Sequence, residues 1–215
     1  MRLFYVLHIK EKALSDCLEA IRYISNPAEK HRAHITVRGP YRKRINVEGF
    51  NKRIVGDTLE IDRVGNFFDS GQNTVYFGCS APELKRVLKK PHYPFNPHVT
   101  VYDSNSSEFA RRLFGVVSRY KYSLKFRADE LEVIESRKGQ DSFSLALAFN
   151  SELVGRVAGR KISAEDVRKL SEDRRLELIA RLCKHFSDLS APGRSLELFP
   201  SQDSVEVSRS PAIRK

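Results

Sequence analysis

The chain has 215 residues, of which 40% are hydrophobic, so it can bury a core and fits one domain of ordinary size or slightly more. It carries 38 basic and 27 acidic residues, a net charge of +11, and residues 1–150 hold 25 of the basic and 17 of the acidic ones. A surplus of this size favours a polyanionic partner over a neutral or acidic protein surface. A generally basic, soluble surface is the alternative that charge alone leaves open.

Several classes of protein are disfavoured by simple absences in the sequence. No stretch approaches 18 consecutive apolar residues, and the apolar N-terminal run is too short for a signal peptide, so we expect an intracellular, cytoplasmic protein without a membrane partner. Cys17, Cys79 and Cys183 are widely spaced, which predicts buried free thiols rather than disulfides or a zinc site. A Walker loop and a dinucleotide glycine pattern are both missing, so no cofactor is expected.

The first elements are a strand, a helix and a second strand. Residues 3–9 form an apolar run typical of a buried strand. Apolar residues recur every three or four positions from 12 to 24 and predict an amphipathic helix that Asn26 and Pro27 end. Residues 33–37 predict a strand that Gly39 and Pro40 stop.

The middle of the chain alternates between helices and strands. Residues 47–55 predict a short helix, and residues 58–67 and 74–80 predict two strands joined by a hairpin loop. Residues 82–90 predict a helix. Pro91, Pro94 and Pro97 then exclude helix and lead stiffly into a strand that begins at His98.

The last part adds helices and a polar tail. Apolar residues between 109 and 120 predict a helix, residues 122–134 and 142–149 predict strands, and residues 164–186 predict a long helix with a capping box at Ser163 and Asp166. Residues 190–215 mix Ser, Pro, Gly and charges, which is typical of a disordered tail.

One pattern occurs twice: His34-Ile35-Thr36-Val37 and His98-Val99-Thr100-Val101 share the form His-x-Thr-aliphatic. In a strand, residues two apart point to the same face, so each copy presents an imidazole and a hydroxyl together. If the two strands lie side by side around a cleft, one histidine can accept a proton while the other donates one. The pair therefore predicts phosphodiester chemistry without a metal.

The order of elements looks like two related halves. It predicts an α+β, bilobal, duplicated fold in which two antiparallel sheets face a central cleft, with helices outside and a C-terminal helical extension. We expect a catalytic domain of two lobes over residues 1–150, a helical extension over residues 151–190 and a tail over residues 191–215. The oligomeric state is not indicated.

The paired motifs resemble the signature of the two-histidine (2H) phosphoesterase superfamily, which includes LigT-like and 2',5' RNA ligase-like RNA phosphodiesterases. The resemblance covers residues 1–150 and does not extend to residues 151–215. It implies metal-independent hydrolysis or transfer at 2',3'-cyclic or 2',5'-linked phosphates in a positively charged groove. It also implies that His34 and His98 are the acid and base, and that Thr36 and Thr100 hold phosphate oxygens.

Further residues near the motifs are candidates for binding an RNA or nucleotide substrate. Arg38 shares the His-Thr face if the strand continues and could clamp phosphate, the alternative being a solvated arginine at the rim. Tyr41 and Tyr102 could stack on a base, or they pack in the core or at the rim. His31 and His92 could contact substrate or be exposed structural residues. Metal binding by the motif histidines is disfavoured because no Asp, Glu or Cys stands at a typical ligand spacing.

The sequence leaves two rival functions and one open question about the extension. A non-catalytic RNA or nucleotide binding module is the alternative to the phosphodiesterase, and a cyclic di- or oligonucleotide second messenger is the alternative substrate. Residues 151–215 are expected to be dispensable for chemistry because both motifs precede them. In the opposite case the long helix completes the core, and a truncated chain cannot fold.

Overall fold

A computed structural model describes residues 2–28, 31–87, 95–137, 140–142 and 149–190. Within these ranges the chain is a mixed α/β fold in which helices pack on a curled antiparallel sheet. The strands are β1 (Arg2–His8), β2 (His34–Tyr41), β3 (Thr58–Asn66), β4 (Thr74–Ser80), β5 (His98–Asp103), β6 (Leu124–Arg127), β7 (Glu132–Arg137) and β8 (Gln140–Ser142). The helices are α1 (Lys12–Ser25), α2 (Glu48–Ile54), α3 (Ser107–Val117), α4 (Ser151–Ala158), α5 (Ala164–Lys169) and α6 (Glu172–Asp188), and short 3₁₀ helices span Phe68–Ser70 and Pro82–Arg86.

The described strands form one sheet with the order β6-β3-β4-β5-β2-β1-β7-β8. The prediction of two separate sheets is therefore wrong for these strands, because β2 and β5 pair directly and join the two halves. The bilobal, duplicated arrangement is not confirmed. In the described register, the junction between β2 and β5 consists of a single pair, Ile35 with Val99. The two motif strands thus lie side by side at the centre of the sheet, which meets the condition on which the prediction of one shared site depends.

Helix α1 confirms the amphipathic pattern of the sequence. Its apolar stripe is fully buried, and it packs against β5, α4 and α6. Helix α3 packs in turn against α6 and against β3 and β4. One face of the sheet and these helices therefore enclose the hydrophobic core, which leaves the opposite face of the central strands for a site.

The strand predicted for residues 122–134 is two strands. Strand β6 pairs with β3 at one edge of the sheet, whereas β7 pairs with β1 in the other half. Between them, the Ala128 backbone bonds to Asp57 and Gly56 next to α2, and the chain crosses over. Alternation of apolar residues predicts a strand but does not identify its partner, which is why the break was missed.

The helix predicted for residues 164–186 divides into α5 and α6. Leu170 is extended, and the Ser171 side chain caps α6 by accepting from the Arg174 amide. The capping box at Ser163 and Asp166 is confirmed at the start of α5. Helix α4 lies in the helical extension expected over residues 151–190, but its own bounds were not predicted, although the Asn150 side chain caps its start.

The helical extension packs into the same core as the sheet. Phe186 on α6 is fully buried, and its ring centroid lies 5.4 Å from that of Phe77 on β4 and 5.6 Å from that of Tyr122. Burying a phenylalanine in this way contributes several kcal/mol. The packing supports the alternative in which α6 completes the core. The division into residues 1–150, 151–190 and 191–215 stays a prediction.

Several predictions fall outside the described residues. They are the end of the helix at 88–90, the proline-rich segment with Pro91, His92 and Pro94, most of the strand at 142–149, and the tail at 191–215.

Candidate active site

The two motifs meet on the face of the sheet opposite the core. Ile35 and Val99 pair across the antiparallel strands, and both side chains are fully buried in the core. Continuing this register places His34 opposite Thr100 and Thr36 opposite His98. All four side chains have intermediate exposure and alternate with buried neighbours. They form one patch, called here the site face, in which the two histidines lie on one diagonal and the two threonines on the other.

Both motif histidines are oriented by the same local contact. His34 Nδ1 lies 2.8 Å from the Arg32 carbonyl oxygen, and His98 Nδ1 lies 2.7 Å from the Asn96 carbonyl oxygen. A carbonyl oxygen can only accept, so Nδ1 carries the proton in each ring. The neutral imidazole then has its lone pair on Nε2, which is the arrangement that a proton acceptor needs.

The surroundings of His34 disfavour its charged form. Burial of the ring and the nearby Arg22 guanidinium lower the pKa of His34 to about 3. His8 on β1 is its cross-strand partner, and the two ring centroids are 6.0 Å apart. Burial also lowers the pKa of His8, whose Nε2 lies 3.7 Å from a carboxylate oxygen of Glu132 on β7. His34 is therefore neutral at pH 7.

His98 has an aromatic environment instead. Its ring centroid lies 4.7 Å from that of Tyr76 on β4 and 5.3 Å from that of Phe67. The Asn96 side chain donates to the Tyr76 hydroxyl at 3.1 Å and so fixes that ring. Gly65 on β3 makes the arrangement possible, because a Cβ atom there would lie 2.4 Å from the Tyr76 ring. We call Phe67 and Tyr76 the aromatic wall.

Arg63 extends the site face beyond the aromatic wall. Gly78 pairs with both Arg63 and His98, and a Cβ atom on Gly78 would lie 2.5 Å from the Arg63 side chain. The Arg63 guanidinium donates to the Cys79 carbonyl at 3.1 Å and remains 43% exposed. The sequence reasoning missed His8, Arg63 and the aromatic wall. Glycines inside two predicted strands were the available signal, since a strand glycine often marks the close approach of another group.

Arg38 does not share the site face. The register shifts between Val6, which pairs with Thr36, and Tyr5, which pairs with Arg38. Tyr5 belongs to the core, so the alternation assumed from the sequence breaks at this irregularity. Arg38 is only 7% exposed, and its guanidinium lies 4.1 Å from the centre of the Phe50 ring on α2. Its assignment as a phosphate ligand stays a prediction that this position does not support.

The two tyrosines that follow the motifs also pack away from the site face. Tyr102 is buried against Phe109, with ring centroids 5.2 Å apart. Tyr41 lies edge-on to Tyr5 at 6.0 Å and packs against the core. Base stacking by Tyr41 and Tyr102 therefore stays a prediction that their packing does not favour. His31 precedes β2, where its carbonyl accepts from Arg22.

The described part of the chain bears on metal binding and on membrane insertion. There, no group of three or more His, Cys, Asp or Glu side chains is arranged to hold a metal ion. No helix in the same residues is both long and apolar enough to cross a membrane.

Comparison with known proteins finds a family model whose matched region contains both motif strands. The model of the 2'-5' RNA ligase superfamily matches residues 10–140, which include both His-x-Thr motifs and the whole of strands β2 to β7. No curated protein matches the chain. The family match covers more than half of the 215 residues. The chain therefore belongs to the 2'-5' RNA ligase superfamily, which is part of the 2H phosphoesterase superfamily.

Proposed function

We propose that the protein is a metal-independent phosphodiesterase that acts on 2',3'-cyclic or 2',5'-linked phosphodiesters of RNA or nucleotides. The observation that carries the proposal is the antiparallel pairing of Ile35 with Val99, because it gives the site face two imidazoles and two hydroxyls in a locally two-fold arrangement. Family membership supports the same class of chemistry, since the superfamily groups phosphoesterases and ligases.

The diagonal arrangement suits an in-line displacement at phosphorus. The attacking and leaving oxygens occupy opposite sides of the phosphorus atom, so a base and an acid are needed on opposite sides. In a regular ladder, diagonal neighbours are about 7–8 Å apart, which leaves room for a phosphate between His34 and His98. The hydroxyls of Thr36 and Thr100 then donate hydrogen bonds to the non-bridging oxygens.

We assign the base to His34 and the acid to His98. Nε2 of neutral His34 takes a proton from water as the water oxygen bonds to phosphorus. Nε2–H of protonated His98 gives its proton to the ribose oxygen as the bond from phosphorus to that oxygen breaks. Because the pKa of His34 is lowered to about 3, His34 stays unprotonated well below pH 6.5. The pH dependence of kcat/KM reports the protonation of groups in the free enzyme. We therefore expect kcat/KM to stay constant from neutral to mildly acidic pH and to fall only at lower pH.

The surroundings of the site favour a nucleotide substrate. The aromatic wall beside His98 offers a surface on which a base can stack, and stacking of this kind contributes about 1–3 kcal/mol per base. The exposed Arg63 guanidinium lies on the same side and can contact a phosphate. We therefore propose that the base binds on the β4 side of the site face.

A substrate panel with chelator present tests the proposal. The panel consists of 2',3'-cyclic nucleotides, 2',5'-linked oligoadenylates and cyclic dinucleotides, and we expect turnover of at least one class. His34→Ala and His98→Ala should each lower kcat by roughly 10²–10⁴-fold. His185→Ala, on α6, is the matched control and should keep full activity.

Other outcomes would replace this assignment. Full activity in either single variant contradicts two-histidine catalysis, and strong inhibition by chelator indicates a metal mechanism. If no substrate turns over while RNA binds tightly and equally well to His34→Ala and His98→Ala, the protein is a binding module.

A further inference from the structure

Helix α1 has buried polar residues as well as its apolar stripe. Ser15, Glu19 and Arg22 follow at spacings of four and three, so they lie on one side of the helix, and each is at most 4% exposed. Charged side chains are costly to bury without partners. This polar face is therefore expected to have specific partners, and they lie beside the two motifs.

Arg22 bonds to the backbone of both motif segments. Its Nε donates to the His31 carbonyl at 3.2 Å, three residues before His34, and its Nη1 donates to the Thr100 carbonyl in the second motif. The described register between these strands contains only the pair Ile35 with Val99. One guanidinium thus adds a link between two strands that share few backbone contacts.

Glu19 supports the same region by a second route. Its carboxylate pairs with the Arg32 Nε at 2.7 Å, and Ser15 accepts from the same guanidinium at 3.1 Å. The Arg32 carbonyl in turn accepts the Nδ1 proton of His34. The polar face of α1 therefore holds the backbone on which the orientation of His34 depends.

We propose that Arg22 is a positioning residue that sets the relative placement of the two His-x-Thr motifs and keeps a permanent positive charge close to His34. The role rests on the proposed function, because it matters for catalysis only if the two histidines act together. The planar guanidinium reaches two carbonyl oxygens at once, which the single ammonium of a lysine cannot reproduce in the same geometry.

The groups around His34 are consistent with this role. Burial is the largest cause of its lowered pKa, and Arg22 is the next; His8 on β1 and His31 act in the same direction, while the hydrogen bond to Arg32 opposes them. A carboxylate oxygen of Glu132 on β7 lies 3.7 Å from Nε2 of His8. Removing the charge of Arg22 should therefore raise the pKa of His34 while the hydrogen bond from His34 Nδ1 to the Arg32 carbonyl is kept.

Two substitutions separate the charge from the geometry. Arg22→Gln removes the charge, and we expect the pKa of His34, followed by NMR titration of the ligand-free protein, to rise by roughly one unit. Arg22→Lys keeps the charge but cannot donate to the His31 and Thr100 carbonyls at once, so the pKa of His34 should stay near its wild-type value. In the same variant kcat should fall about 10- to 100-fold at an unchanged KM, because small misplacements of catalytic groups have large effects on rate.

Arg175 on α6 provides a matched control for both substitutions. It is also a largely buried arginine that donates to a backbone carbonyl, that of Ser25 at 3.1 Å at the end of α1. It also contacts Glu172 on α6 and the Phe109 ring on α3. All four arginine variants should lower stability, because each loses hydrogen bonds from a buried guanidinium. In Arg175→Gln and Arg175→Lys the pKa of His34 and the turnover should stay unchanged.

The outcomes separate this inference from the proposed function. If wild-type protein turns over no substrate on the panel, the proposed function fails, and the NMR comparison still tests the charge effect of Arg22. A folded Arg22→Gln protein with an unchanged His34 pKa overturns the inference. If Arg22→Gln does not fold, the test depends on Arg22→Lys. A wild-type kcat in Arg22→Lys overturns the inference. A reduced kcat supports it, provided that Arg22→Lys melts at the same temperature as the control Arg175→Lys.

Discussion

The neutral state of His34 should make the fold sensitive to acid. The folded pKa of about 3 lies below the ordinary value of 6.5, so between these values the unfolded chain binds a proton that the folded chain does not. Stability must then fall as the pH decreases through 6.5. His34→Asn removes the titrating group, and the asparagine amide can still donate to the Arg32 carbonyl.

The size of the effect follows from the two pKa values. At pH 5 the linkage lowers the free energy of unfolding by about 2 kcal/mol, and at pH 7.5 by less than ~0.1 kcal/mol. The result at pH 5 depends on the unfolded value and hardly on the folded one, provided that the folded pKa lies below about 4. Wild type should therefore lose about 2 kcal/mol more than His34→Asn between pH 7.5 and pH 5.

Urea unfolding at the two pH values measures this difference. Comparing each protein with itself cancels any direct effect of the substitution on packing. Thr36→Val, two residues further along β2, changes the same face without removing a titrating group and should show the wild-type loss. Equal losses in wild type and His34→Asn would refute the reasoning that His34 is held neutral.

The remaining predictions concern packing and burial. Phe186→Ala should lower the free energy of unfolding by about 3–5 kcal/mol in urea, and a chain truncated after residue 150 should show no cooperative melting by calorimetry. Gly65→Ala displaces the Tyr76 ring and should lower the free energy of unfolding by about 1–3 kcal/mol, with loss of turnover. The control Gly49→Ala, which has open space on α2, should raise the free energy of unfolding by up to about 1 kcal/mol. Burial raises the pKa of each of the three cysteine thiols to about 12, so a thiol reagent at pH 8 should react only after unfolding, and rapid reaction of the native protein would contradict this.

Local patterns in the sequence identified most elements correctly. The stripe on α1, the hairpin of β3 and β4 and the capping box of α5 depend on residues close together in the chain, and all are confirmed. The predictions that were wrong concern contacts between residues far apart in the chain. Alternation could not show that residues 122–134 supply strands to both halves of the sheet, because strand pairing is settled by the partner and not by the pattern.

The residue types of the site follow from local pattern alone, because two His-x-Thr motifs in strands must each place an imidazole and a hydroxyl on one face. The antiparallel register of the motif strands at Ile35 and Val99 depends instead on how the whole chain packs. The same packing decides which side chains surround the histidines: Arg22 comes from a helix on the core side, and Tyr76 comes from the neighbouring strand. A pKa depends on desolvation and on charges a few ångströms away in space, so the lowered pKa of His34 could arise only from packing that brings distant parts of the chain together.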